Sequence, residues 1–85
     1  DSMKEKPTIA VIGLGRIGLI FAVAIAEKGF KVYGIDIDES KLKKINEGIP
    51  PFYEPFLEEK LRRVLAGKYL ECSSDYEVLK KMKKE

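Results

Sequence analysis

Three glycines and one acid hold the most specific chemistry in this sequence. Gly13, Gly15 and Gly18 stand in the spacing G-x-G-x-x-G, and Asp36 follows Gly18 by 18 residues. At the first position a glycine lets the chain turn sharply out of a strand. At the second it has no side chain, so backbone N–H groups can approach a pyrophosphate. At the third it lets a helix lie close to the strand. A helix opening at such a turn aims free N–H groups and its positive dipole end at the anion. An acid roughly 20 residues further on accepts hydrogen bonds from the ribose hydroxyls of an adenosine. A carboxylate there repels a 2′-phosphate, so NAD is expected rather than NADP. Lys41, in the first turn after Asp36, has two open readings: it reaches an adenosine ribose or phosphate, or it is a surface lysine.

These residues do chemistry only if the flanking segments place them. Thr8–Ile12 is a short apolar run and predicts a buried strand. Leu19 to Ala26 is almost wholly apolar, which predicts a helix from Arg16 to Lys28 covered on both sides, with Gly29 closing it. Lys31–Ile35 predicts a second strand delivering Asp36, and the two strands with their helix predict a right-handed βαβ unit. The competing reading is a turn whose glycines only pack helix on strand, with Asp36 a solvated strand-end acid or cap. Motif and acid in register favour dinucleotide binding.

Asp38 is a good N-cap for a helix over residues 39–47, with Leu42 and Ile45 as a thin apolar stripe and Gly48 closing it. Pro50-Pro51 breaks the chain, and Phe52-Tyr53-Glu54 predicts a loop. Pro55 suits the first turn of a third helix carrying Leu57, Leu61, Val64 and Leu65, which Gly67 ends. A short strand is expected at Tyr69–Cys72. Ser74-Asp75-Tyr76-Glu77 reads as a capping box opening a last helix through about Lys83. Residues 1–7 are expected to be frayed or tag-like.

The 85 residues permit one small domain, and 45% hydrophobic with 35% charged residues is a globular composition. A net charge of +2 with lysines interleaved with glutamates gives no case for a nucleic-acid partner. No stretch is long and apolar enough to predict a membrane span. Cys72 is the only cysteine and histidine is absent, so no metal site and no disulfide framework are expected, and a reducing cytoplasm is the natural compartment. Without a histidine to lower its pKa, Cys72 reads as a small packed group, not a nucleophile.

From Thr8 to Lys83 the chain resembles the N-terminal end of the nucleotide-sugar 6-dehydrogenases, those of UDP-glucose, GDP-mannose and UDP-N-acetylmannosamine. The resemblance rests on Ile9-Ala10-Val11-Ile12-Gly13-Leu14-Gly15, Gly18-Leu19, Glu27-Lys28-Gly29 and Gly34-Ile35-Asp36-Ile37-Asp38. It continues through Lys44-Ile45-Asn46-Glu47-Gly48-Ile49-Pro50, Tyr53-Glu54-Pro55 and Ser73-Ser74-Asp75-Tyr76. The N-x-G-x-x-P segment followed by Y-E-P is its most specific part. It implies an enzyme that oxidises the C6 alcohol of a nucleotide sugar to the acid with two NAD. It implies that Gly13, Gly15, Arg16, Ile17 and Gly18 line the pyrophosphate, that Asp36 holds the ribose and that Lys41 lies beside it. The family's catalytic cysteine, lysine and asparagine lie in parts absent here, and Cys72 does not correspond to that cysteine. The chain departs from the pattern at Arg16-Ile17, where a Tyr-Val or Tyr-Ile pair is usual. It departs again at Ile20, where proline is frequent, and at Phe56, where glycine is.

The expected fold is therefore α/β: a Rossmann-like βαβ NAD-binding half-domain, three-layered, with a parallel sheet of two to three strands and truncated. Residues 1–85 would form the N-terminal part of that domain and be inactive alone. The alternatives are a stand-alone module binding NAD or an adenine nucleotide, and a structural remnant. A complete domain of this type adds strand 4 beside strand 1. Here strand 1 would be an unpaired apolar edge, so cover is expected from further chain, a second copy or a partner's helix.

Overall fold

The computed structural model describes residues 6–82. Seven elements follow one another: β1 (Thr8–Ile12), α1 (Arg16–Glu27), β2 (Lys31–Ile35), α2 (Glu39–Asn46), α3 (Leu57–Ala66), β3 (Leu70–Ser73) and α4 (Val78–Lys81). The strands form one parallel sheet in the order β1-β2-β3, with Ile9 beside Val32 and Val32 beside Leu70. A parallel neighbour requires a crossover, and successive right-handed crossovers in one direction lay their helices on one face.

Side chains alternate across a strand. The register therefore aligns Ile9 and Val11, Val32 and Gly34, and Leu70 and Cys72 on the same face. There they meet Leu19, Ala22, Val23 and Ala26 of α1, Leu42 and Ile45 of α2, and Leu57, Leu61 and Val64 of α3. The core is one continuous apolar layer between sheet and helices. Leu14, from the turn after β1, is fully buried. It fits because Gly34 has no side chain: a Cβ there would stand 3.0 Å from a Leu14 methyl and 3.2 Å from the Cys72 sulfur.

The opposite face of the sheet is covered far less. The Lys31 ammonium lies 5.2 Å from the centre of the Tyr33 ring on that face and pairs with the Glu71 carboxylate. Ile35, two residues after Tyr33 on the same face, is nonetheless fully buried. The outer side of α1 is also bare, contrary to the expectation of cover on both sides. Ile17 is 84% and Phe21 57% exposed, because no described element packs there.

β1 and β2 match their sequence signals, α1 and α2 end one residue early at Glu27 and Asn46, and the other three elements differ as follows. α3 starts at Leu57 rather than at Pro55, and its N-cap is Phe56 in the left-handed region, at φ 67°. β3 lies one residue later than expected, at Leu70–Ser73. The capping box before α4 does not form. The Ser74 hydroxyl donates instead to Glu39 at 2.5 Å, while Asp75 accepts the Glu77 N–H at 2.8 Å, a local turn that leaves α4 only four residues long. Lys83, the expected end of that helix, and residues 1–5 of the expected frayed segment lie outside the described residues.

Phe56 is 71% exposed, so its side chain recovers little burial for a backbone that costs about 1–2 kcal/mol in a non-glycine residue. Phe56→Gly is expected to stabilise the chain by about 1 kcal/mol and raise the thermal midpoint by about 5 °C. Phe56→Ala, which keeps the Cβ, should give no such gain in the same melting experiment.

Candidate dinucleotide site

The site lies at the ends of β1 and β2. Gly13 leaves β1 with φ 92°, and its N–H donates to the Ile35 carbonyl at 2.7 Å, which ties the turn to the end of β2. Gly15 is the N-cap of α1, and no side chain caps that helix. The Leu19 N–H makes an α-helical bond back to the Gly15 carbonyl at 2.9 Å. The N–H groups of Arg16, Ile17 and Gly18 precede it and have no intrahelical partner.

The second and third glycines do different work. A Cβ on Gly18 would fall 2.0 Å from the Gly13 carbonyl oxygen, so this glycine is required for helix and turn to close up. A Cβ on Gly15 would meet nothing within 4 Å. That open space, beside an uncapped helix N-terminus, is what a pyrophosphate needs.

Asp36 is 9% exposed and held by three donors. Its Oδ2 accepts the Leu14 N–H at 2.7 Å and the Lys41 ammonium at 2.9 Å, and its Oδ1 accepts the Asp38 N–H at 2.9 Å. Lys41 foremost, then the Asp38 and Leu14 N–H groups, lower its pKa from 3.8 to about 2 against the opposing effect of burial. A carboxylate offers about four acceptor positions. Oδ1 thus has capacity left for a ribose hydroxyl, and the residues present fit the adenosine end of NAD. The structure pairs the Lys41 ammonium with the Asp36 carboxylate, and Asp38 caps α2 through the Lys41 N–H at 3.1 Å.

Gly13, Gly15, Gly18, Asp36 and Lys41 are therefore brought together as expected. Ile17 points outward. Arg16 is turned onto the loop before α3: its Nη2 donates to the Glu54 carboxylate at 2.5 Å, and its Nη1 to the Tyr53 carbonyl at 3.2 Å. Its guanidinium lies 5.1 Å from the centre of the Phe52 ring. Sequence reasoning missed Glu54 as the partner of Arg16 because 38 residues separate them. It also missed Leu14, whose one residue supplies both a core side chain and the N–H that orients Asp36. Cys72 is buried in the core, and burial pushes its thiol up to about 12. Among the described residues no cluster of His, Cys, Asp or Glu could hold a metal ion, and no helix is long and apolar enough to cross a membrane.

Fold and site together define a dinucleotide-binding domain of the NAD type. Residues 7–84 match the NAD binding domain of the UDP-glucose/GDP-mannose dehydrogenase family, and the chain belongs to that family. It is 50% identical over 72 residues to an uncharacterised protein of Methanocaldococcus jannaschii, covering 85% of this chain and 8% of that one. It is 42% identical over 69 residues to the UDP-glucose 6-dehydrogenase YwqF of Bacillus subtilis, covering 81% of this chain and 16% of the enzyme. The solved structure of the UDP-N-acetyl-D-mannosamine dehydrogenase of Pyrococcus horikoshii superposes with a TM-score of 0.82 at 40% identity, over 85% of this chain and 17% of that one. The chain thus spans less than a fifth of the length of each of these relatives. NAD is the cofactor of the matched domain.

The site also sets an acid limit on stability. The folded chain holds Asp36 ionised down to pH about 2, whereas the unfolded chain protonates it near 3.8. The stabilisation is complete above the unfolded value and is lost as pH falls from about 3.8 to about 2. Urea midpoints measured across that window are expected to fall steeply for the parent and less steeply for Asp36→Asn.

Proposed function

We propose that this chain holds the ADP-ribose part of NAD for a nucleotide-sugar 6-dehydrogenase that oxidises the C6 alcohol of a UDP-linked sugar to the carboxylate. The observation that carries the reading is the open space at Gly15 beside the uncapped start of α1, with Asp36 oriented at the end of β2. The names of the relatives, UDP-glucose and UDP-N-acetyl-D-mannosamine dehydrogenases among them, support the substrate class. In this reading the N–H groups of α1's first turn bind the pyrophosphate, with Gly13, Gly15, Arg16, Ile17 and Gly18 lining it. Asp36 accepts from the ribose hydroxyls and Lys41 stands beside them. NAD, when bound, accepts the hydride. The groups that move protons and form covalent intermediates belong to other parts of the enzyme, so the chain alone binds cofactor and turns nothing over.

Among the described residues β1 is one edge of the sheet, with Ile12 exposed at its end and Ile17 and Phe21 exposed on α1. Further chain, a second copy or a partner's helix covers this edge in the working protein, because an open apolar edge invites aggregation. A cytoplasmic setting suits the one unpaired cysteine.

Gly15→Ala separates binding from folding. At φ −72° and with free space at the Cβ, alanine is tolerated, and stability should stay within about 0.5 kcal/mol of the parent. By calorimetric titration, NAD and ADP-ribose affinity should fall by about tenfold or more. Equal affinity in parent and variant would remove the pyrophosphate reading. Asp36→Ala is a less clean probe than the sequence implies. It should weaken NAD, but it also strips the buried Leu14 N–H of its acceptor, at about 1–3 kcal/mol of stability by urea unfolding.

A further inference from the structure

Arg16 is the first residue of α1, so its backbone faces the anion site while its guanidinium is engaged elsewhere. The loop it holds packs Phe52 against the core but is fastened by few hydrogen bonds. The Ile49 N–H donates to the Lys44 carbonyl at 2.9 Å, and the Glu54 carbonyl accepts the Leu57 N–H at 3.1 Å. Between them, among the described residues, the hydrogen bond to the loop is the one from Arg16 to the Tyr53 carbonyl. Pro50 and Pro51 have no N–H to contribute. The ion pair itself is accessible, with the two side chains 55% and 34% exposed.

We propose that Glu54 is a built-in counter-anion that competes with the dinucleotide for Arg16. With the site empty, Arg16 clasps Glu54, Tyr53 and the face of Phe52, and the loop is fastened to the start of α1. When the pyrophosphate arrives, the guanidinium passes from Glu54 to the phosphates and the loop is unfastened. The inference rests on the NAD reading above. An exposed ion pair contributes little net stability and is screened by salt, so the clasp opens easily. A pyrophosphate presents more charge than one carboxylate, and a guanidinium matches phosphate oxygens with two parallel hydrogen bonds. The N–H groups and dipole of α1 hold that anion beside the root of the Arg16 side chain. Binding and loop release are thereby coupled, and by linkage whatever holds the loop closed weakens NAD.

A double-mutant cycle on this chain, with NAD affinity read by calorimetry, tests the exchange. Glu54→Gln is expected to tighten NAD by about threefold to tenfold, and Arg16→Gln to weaken it by about tenfold. In the Arg16→Gln background, Glu54→Gln should change nothing. In NMR spectra, the amide signals of Phe52 and Tyr53 in the NAD-bound parent should move toward their positions in NAD-free Glu54→Gln. An unchanged affinity in Glu54→Gln overturns the exchange. So does equal tightening with and without Arg16, which would be simple removal of a repelling charge. Either result leaves the NAD reading intact. Absence of NAD binding in the parent and in Glu54→Gln alike overturns both.

Discussion

The hydrogen bond from the Leu14 N–H to the Asp36 carboxylate joins the two halves of the molecule that matter for binding. On one side is the turn leaving β1, and on the other the end of β2. Leu14 can take part only because its own side chain is sunk into the core against Gly34. A core contact thus sets the angle of a backbone N–H, which orients a carboxylate. The Lys41 ammonium and the Asp38 N–H complete the arrangement from the start of α2. The site is preorganised by the same packing that holds the sheet to its helices.

That arrangement also explains why an ionised acid is tolerable in a nearly buried place. Burial alone would favour the neutral form. Three donors reverse the balance, so the carboxylate stays charged and ready to accept. The negative charge in turn disfavours any ligand with a phosphate on the ribose.

The binding turn is legible in the sequence because its parts are local. The glycine spacing, the apolar strand before it and the acid after β2 lie within one βαβ unit, and each residue's role follows from its own geometry. Asp38 as the cap of α2 is legible for the same reason. Contacts between distant segments are not. The Ser74 hydroxyl looked free to cap α4, but Glu39, 35 residues earlier, accepts its hydrogen bond. Arg16 and Glu54 carry no pattern that pairs them in advance. The exposure of Ile17 and Phe21 on α1 is not legible either, because an apolar helix announces that it needs cover without saying which chain supplies it.

The direction of the β1 edge has a geometric consequence. A strand that arrives by a helical crossover runs parallel to β1 and ends beside Gly13, so its own loop can add to the same site. Two copies that join β1 to β1 in antiparallel fashion make a continuous six-stranded sheet with twofold symmetry. Their glycine turns then lie at opposite ends of that sheet, each facing away from the other. The first arrangement builds a single shared cleft. The second builds two independent ones, and the polarity of the added strand decides between them.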